Sequence, residues 1–190
     1  QHRRGQPGRS LEDESQLREE MEIRVSADAI RQVARTFGGV EHRMELVREL
    51  NGVRYYNDSI ASSPTRTIAG LRSFPDKVIL IAGGYDKKLP FEELGAEICE
   101  KVKLLILCGA TAKKLKTAVL GAGMTPPEIL ETEDFDSVVT LAAERAEKGD
   151  CVVLSPAAAA FDRFKNFAVR GKHFKELVIC HVLIEELLRK

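Results

Sequence analysis

This chain lacks an excess of charge of either sign: lysine plus arginine and aspartate plus glutamate number 29 each in 190 residues. Without a net field it has no long-range pull on nucleic acid or on an anionic membrane, and neither is expected as a partner. It also lacks any apolar run near the ~20 residues of a membrane span, so no membrane insertion is expected. The charged start holds no signal-peptide core, and the chain reads as soluble and cytoplasmic. Cysteine is sparse. Cys99, Cys108, Cys151 and Cys180 show no metal-like spacing, and Cys108 and Cys151, set in apolar runs, read as buried free thiols. Neither GxxxxGKS/T nor GxGxxG occurs, which argues against a P-loop and against a dinucleotide fingerprint in this chain. There is no internal repeat and no low-complexity tract.

What is present is organised around Asn51-Gly-Val-Arg-Tyr-Tyr-Asn-Asp-Ser-Ile-Ala-Ser-Ser-Pro64. Asn51-Gly52 best tolerates the positive φ angles of a two-residue hairpin turn. Val53 to Tyr56 read as one strand of that hairpin and Met44 to Val47 as the other. Asn57-Asp58-Ser59 then sits where the strand ends. Ser63-Pro64 follows as an N-cap with proline at the first helical position, where its missing N–H costs nothing. A strand thus delivers an acid to its carboxyl end and hands over to a helix, the edge at which open α/β sheets bind ligands.

Upstream, residues 1–24 are dominated by charge and read as a mobile tail. From Ser26, apolar residues recur at helical spacing until Gly38-Gly39, and a boundary near Gly38 is expected. Downstream, Lys77–Ala82, Lys103–Cys108 and Asp150–Leu154 are near-continuous apolar runs, as expected of strands covered on both faces, and Glu128–Glu131 is a shorter candidate. Helical patterns separate them: Pro64–Phe74, Phe91–Val102, Ala112–Leu120 and Ser137–Lys148. This alternation predicts right-handed βαβ units and a parallel sheet, while the first hairpin strand must run antiparallel. Phe174, Leu177, Val178, His181, Ile184 and Leu188 mark a C-terminal helix.

Three strand-to-helix junctions could carry chemistry. At Asn57–Ser62, a carboxylate and several hydroxyls suit a nucleotide ribose, a metal-bound water or a polar substrate, or else merely cap the next turn. At Gly83-Gly84-Tyr-Asp-Lys87-Lys88, two glycines let backbone N–H groups approach an anion and a lysine could complete the site. The alternative is a glycine turn with two exposed lysines. At Ser155-Pro156, the sequence resembles a capped helix start whose N–H groups suit a carboxylate, although the following alanines could form a turn first. Taken alone, Glu41-His42-Arg43 reads as surface decoration.

Four segments now combine. Glu41-His-Arg-Met-Glu, Tyr56-Asn-Asp-Ser-Ile-Ala-Ser-Ser-Pro-Thr, Ile81-Ala-Gly-Gly-Tyr-Asp-Lys and Leu154-Ser-Pro-Ala-Ala-Ala-Ala-Phe-Asp-Arg-Phe-Lys-Asn-Phe-Ala-Val-Arg-Gly together resemble the Mur ligases, in the family's order. That family is built from a UDP-sugar domain, a central P-loop ATPase and a Rossmann-like C-terminal domain. The resemblance implies that residues 25–39 are the trailing helix of the ATPase domain and residues 40–190 the C-terminal domain. Its expected fold is α/β and Rossmann-like: a mostly parallel sheet, helices on both faces and an antiparallel edge hairpin.

The family reaction activates a carboxylate as an acyl phosphate with ATP, and an amine then attacks to give an amide, ADP and phosphate. The resemblance points to members that add D-glutamate to UDP-N-acetylmuramoyl-L-alanine in peptidoglycan synthesis. It implies that Arg43 and Asp58 contact ATP, with His42 and Asn57 placing them. Ser62, Lys87, Ala160, Phe161 and Phe167 would hold D-glutamate, Ala160 through its backbone. ATP and Mg2+ would serve the full enzyme, with magnesium ligands outside this chain. The N-terminal and central domains would be its partners, and the chain alone is expected to be inactive. Two departures stand out. Ile60 replaces a frequent lysine, with Ser62 for threonine, and Ala160 stands where some members have serine. Rival readings are a ligase for another amino acid, a folylpolyglutamate-like ligase, or a non-catalytic α/β binding module.

Overall fold

The computed structural model describes residues 26–36 and 39–188. The tail expected over residues 1–24, together with Phe37 and Gly38, lies outside the described residues. The chain divides into two compact units, residues 1–38 and 39–190. In the first, helix α1 (Ala27–Thr36) begins where Ser26 Oγ accepts the Ala29 N–H at 3.1 Å. Ile30 and Val33 on this helix are exposed.

The second unit opens with the hairpin β1 (Glu45–Leu50) and β2 (Val53–Asn57). Its turn has φ of 56° at Asn51 and 81° at Gly52, the geometry that the Asn-Gly dipeptide favours. Helix α2 (Pro64–Leu71), β3 (Val78–Ala82), α3 (Glu92–Lys101), β4 (Val102–Cys108), α4 (Ala112–Leu120) and β5 (Glu128–Thr132) then alternate. A short 3-10 turn (Phe135–Ser137), α5 (Val138–Ala143), β6 (Cys151–Leu154) and α6 (Phe167–Leu188) complete the unit.

The six strands form one sheet in the order β1-β2-β6-β3-β4-β5. Only β1 runs antiparallel; the β2–β6, β6–β3, β3–β4 and β4–β5 pairings are all parallel. Every residue of β3 and β6 is buried, which explains their uninterrupted apolar character. Alternate residues feed two cores. Leu80, Leu105 and Val153 pack with Leu71 of α2, Leu94 of α3 and Leu115 of α4. Ile79, Ile106 and Val152 pack with Val139 of α5 and Phe174 of α6 on the opposite face.

Three expectations need correction. The helix expected over 64–74 ends at Leu71. The one expected over 137–148 shrinks to α5. Beyond it the chain turns, because the Asp150 carboxylate accepts the Glu147 N–H at 2.7 Å and the Lys103 ammonium at 2.7 Å. No helix starts at Ser155-Pro156. Carbonyls that would enter a helix are instead used sideways: Pro156 accepts from Gly83 and Ala159 from Tyr85, each at 2.9 Å. Ala157 adopts a φ of 57°, and the path stays irregular until α6 begins at Phe167.

Helix α3, after β3, and helix α6, after β6, leave the sheet on opposite faces. In an open α/β sheet that divergence creates a crevice outside the carboxyl ends of the two strands. Gly83 begins its floor, with φ of 116° and a close approach to β4. A Cβ at this position would stand 2.1 Å from the Cys108 carbonyl oxygen. We therefore expect Gly83→Ala to lower stability by about 2–3 kcal/mol. The urea unfolding midpoint measures this, and an unchanged midpoint would mean that the strand ends do not pack as described.

Candidate functional site

The first junction is built on Asn57, the last residue of β2, which is fully buried. Its Nδ2 lies 2.9 Å from His42 Nδ1 and donates to Glu45 Oε2 at 3.1 Å and to the Gly171 carbonyl at 3.4 Å. His42 is therefore not surface decoration: it is buried, with a φ of 63°, and its ring stands edge-on to Phe167 at 6.0 Å. Glu41, His42 and Glu45 place three ligand-type atoms within 4.8 Å of one another. The cation there is already an ammonium, since Lys175 Nζ donates to both glutamates at 2.8 Å. Hydrogen bonding to Lys175 holds the Glu41 carboxyl below its ordinary range. Burial opposes ionisation of Glu45, but Lys175, the His42 N–H and Asn57 together outweigh it.

Asp58 follows, 4% exposed. Its Oδ1 accepts the Met44 N–H at 3.3 Å and its Oδ2 accepts from Ser155 Oγ at 2.8 Å. Ser155 Oγ also lies 3.0 Å from Thr67 Oγ1, so the junctions after β2 and β6 share one buried hydrogen-bond network. Burial raises the Asp58 carboxyl above its ordinary value, against the pull of Ser155, the Met44 N–H, Arg43 and Arg66. Asp58, Arg43 and Arg66 border an open cavity of about 350 Å³, whose floor includes Ala61 and Gly70. A carboxylate and two arginines lining one such space suit the hydroxyls and phosphates of a nucleotide.

The second and third junctions meet directly. Tyr85 and Ala159 form an isolated bridge between the loops after β3 and β6, and the Tyr85 and Phe161 rings stand edge to face at 6.1 Å. Ala157 to Ala160 are all buried, whereas Phe161 is 65% exposed. The N–H groups of Ala160 and Phe161 donate no hydrogen bond among the described residues, and so are available to an anion. Lys87 is exposed on the loop after β3 and has no hydrogen-bond or ion-pair partner among the described residues. Its neighbour Asp86 pairs with Lys114 at 3.4 Å.

The structure thus brings Asp58 and Ser155 into contact and sets Lys87 and Phe161 on adjacent strand ends of one edge. Ser62 is half-buried just before α2, with no side-chain hydrogen bond among the described residues. Phe167 does not join Phe161: it lies beside His42, and its carbonyl accepts from Ser59 Oγ at 2.8 Å. Ser63 has the extended backbone of an N-cap, yet its side chain makes no cap bond. Sequence reasoning singled out neither Arg66, which lies one helical turn past Ser62, nor Arg170. Arg170 stands at the end of a quoted motif, and that position was the one signal available.

A mostly parallel sheet whose strand ends gather an acid, a glycine turn and a bent alanine loop is the fold of a Mur ligase domain. Residues 42–158 match the family described as Mur ligase, glutamate ligase domain, and the chain belongs to it. It is 59% identical over 160 residues to the UDP-N-acetylmuramoylalanine--D-glutamate ligase of Acetivibrio thermocellus, covering 81% of this chain and 34% of that protein. To the protein of the same name from Clostridium botulinum strain Kyoto it is 53% identical over 157 residues, with the same coverage of 81% and 34%. The chain therefore spans about a third of the length of these relatives. Among solved structures, the bifunctional folylpolyglutamate synthase/dihydrofolate synthase of Yersinia pestis shares the fold with a TM-score of 0.58 at 17% identity. That match covers 82% of this chain and 35% of the other. FolC of E. coli gives 0.56 at 18%, covering 84% and 36%.

Because the folded state raises the Asp58 pKa above 3.8, it binds the Asp58 proton more tightly than the unfolded chain does. The contribution of this group to stability therefore falls as pH rises through that interval. Asp58→Asn removes the dependence. We expect the variant to be as stable as the parent or more so near neutral pH, with the gap narrowing toward about pH 4. Thermal melts across that range check this, and an Asn variant that is least stable at neutral pH would contradict it.

Proposed function

We propose that this chain is the acceptor-binding and nucleotide-closing part of an ATP-dependent amide ligase that adds D-glutamate to UDP-N-acetylmuramoyl-L-alanine in peptidoglycan synthesis. The observation that carries the reading is the convergence of Asp58, Lys87 and the free Ala160 and Phe161 N–H groups on the ends of adjacent strands β2, β6 and β3. The relatives at 53–59% identity support this acceptor by their names. The likeness to folylpolyglutamate synthases, at 17–18% identity, supports the fold and does not choose an acceptor.

In this reading Arg43 and Asp58 meet ATP from the C-terminal side, with His42 and Asn57 fixing the backbone that carries them. Residues 25–39 close the ATPase domain, residues 40–190 form the C-terminal domain, and magnesium is held by carboxylates elsewhere in the full enzyme. The full enzyme is read as cytoplasmic, as a ligase of peptidoglycan precursors would be; among the described residues no helix is long and apolar enough to cross a membrane. D-glutamate brings two carboxylates and an amine. Lys87 would take one carboxylate as a point charge, and the Ala160 and Phe161 N–H groups the other, with Ser62 and Phe161 bounding the space and Phe167 set apart from Phe161, beside His42. The amine stays unbound and is aimed at the activated carboxyl, so that the protein contributes mainly alignment.

The test is phosphate release by the full-length protein with ATP, UDP-N-acetylmuramoyl-L-alanine and either D-glutamate or other amino acids. Release dependent on D-glutamate is expected, and equal release with another amino acid would overturn the acceptor assignment. Lys87→Met should lower kcat/KM about ten- to hundredfold, mainly through KM for D-glutamate, since a charge-assisted bond contributes about 1.5–3 kcal/mol. An unchanged KM would remove Lys87 from the site. The 190-residue chain by itself should release no phosphate from ATP, for want of a phosphate cradle.

A further inference from the structure

Arg170 lies in the first turn of α6 and is 2% exposed. Its Nε donates to Ser59 Oγ at 3.0 Å, and Nη2 donates to the carbonyls of Ser59 and Ala158 at 2.9 and 3.1 Å. Nη1 donates to the Ala159 carbonyl at 3.2 Å. Every acceptor is neutral. Ser59 belongs to the junction after β2, and Ala158 and Ala159 to the loop after β6. The junction after β3 makes room: a Cβ on Gly84 would stand 3.1 Å from Nη1 and 2.4 Å from the Ala159 carbonyl. One fork therefore fastens two of the junctions and is walled by the third.

A fully buried guanidinium without a bonded carboxylate is a costly way to fill space, and an apolar side chain of similar volume would fill it without desolvating a charge. Burial lowers its pKa to about 10, against the pull of Asp162, which still leaves it cationic at neutral pH. Asp162 belongs to the same loop, and its Oδ2 accepts the Ala110 N–H at 3.3 Å. The loop is thus pinned from below by Arg170 and from the side by Asp162. Between the two pins lie Ala160 and Phe161, whose N–H groups donate no hydrogen bond among the described residues.

We propose that Arg170 is a positioning residue of the acceptor site: it sets the Ala158–Phe161 backbone against Ser59 so that the Ala160 and Phe161 N–H groups face the bound amino acid. Its positive charge, with no carboxylate bonded to it, lies beneath that dianionic acceptor. The assignment rests on the ligase reading above and deepens it. Lysine would keep the charge but not the fork, since a single ammonium does not span both junctions.

The experiment is steady-state kinetics of the full-length protein, varying D-glutamate and ATP separately, with melting temperature recorded for each variant. Arg170→Met should raise KM for D-glutamate about tenfold or more while changing KM for ATP less than about threefold; Arg170→Lys should recover part of the loss. An arginine that only supported the fold would lower the melting temperature and the active fraction, reducing kcat at an unchanged KM for D-glutamate. That result would overturn the assignment. Should Arg170→Met fail to fold, Ser59→Ala removes the acceptor of Nε, together with the hydroxyl that donates to the Phe167 carbonyl, leaves the Nη bonds in place, and should shift the same KM upward about threefold. No shift there would equally overturn it. Failure of the unaltered protein to release phosphate with D-glutamate would instead bring down the ligase reading, and this assignment with it.

Discussion

Strand β6 is the last strand in sequence, yet it lies between β2 and β3, and the chemistry at the carboxyl edge depends on that insertion. With β6 in place, the Asp58 N–H donates to Leu154, Ser155 N–H to Ile81 and Gly83 N–H to Pro156, at 2.8, 3.1 and 2.9 Å. These three bonds cross from strand end to strand end and lock the junctions side by side. Without β6, residues from positions 57 to 161 would have no common edge. Parallel strands are about 4.8 Å apart, so groups on neighbouring ends fall within the span of one small dicarboxylate.

The same edge concentrates buried charge held by neutral partners. Asp58 rests on a serine hydroxyl and a backbone N–H, and Arg170 on three carbonyls and a serine hydroxyl. Neither is bonded to the other. Such groups destabilise a fold relative to apolar replacements, but dipoles fixed around them need no reorganisation when a charged ligand arrives. The glutamates at Glu41 and Glu45 follow the other rule, with the Lys175 ammonium of α6 paired to both. Helix α6 thus serves both sides of the proposed site, through Arg170 at the Ala158–Phe161 loop and through Lys175 beside Glu41 and Glu45.

Much of the fold was legible because it is written in local patterns. The Asn51-Gly52 turn, the bounds of α4 and the apolar runs of β3, β4 and β6 follow from turn chemistry and periodicity. What escaped depends on partners distant in sequence. Ser155-Pro156 carries a helix-start signature, but its carbonyls are taken by Thr67 of α2 and by Gly83 just past β3, more than seventy positions earlier, and no local signal announces that. The burial of His42 requires α6 to pass over it, so a His-Arg pair read alone suggests surface. The helix expected to reach Lys148 stops at Ala143, since Asp150 ties the next turn to Lys103 across the sheet. Of the proposed site, the three junctions were visible as motifs, whereas the arginine that fastens two of them bonds only to backbone and serine oxygens.

The central claim is that the crevice between the ends of β3 and β6 receives the amino-acid acceptor. A crystal structure of the full-length protein with D-glutamate bound tests it most directly. The account requires one carboxylate at Lys87 Nζ and the other at the N–H groups of Ala160 and Phe161, with the cavity beside Asp58 left for nucleotide. An amino acid seated instead over the Gly109–Ala112 turn beyond β4, with Lys87 free in solvent, would contradict it.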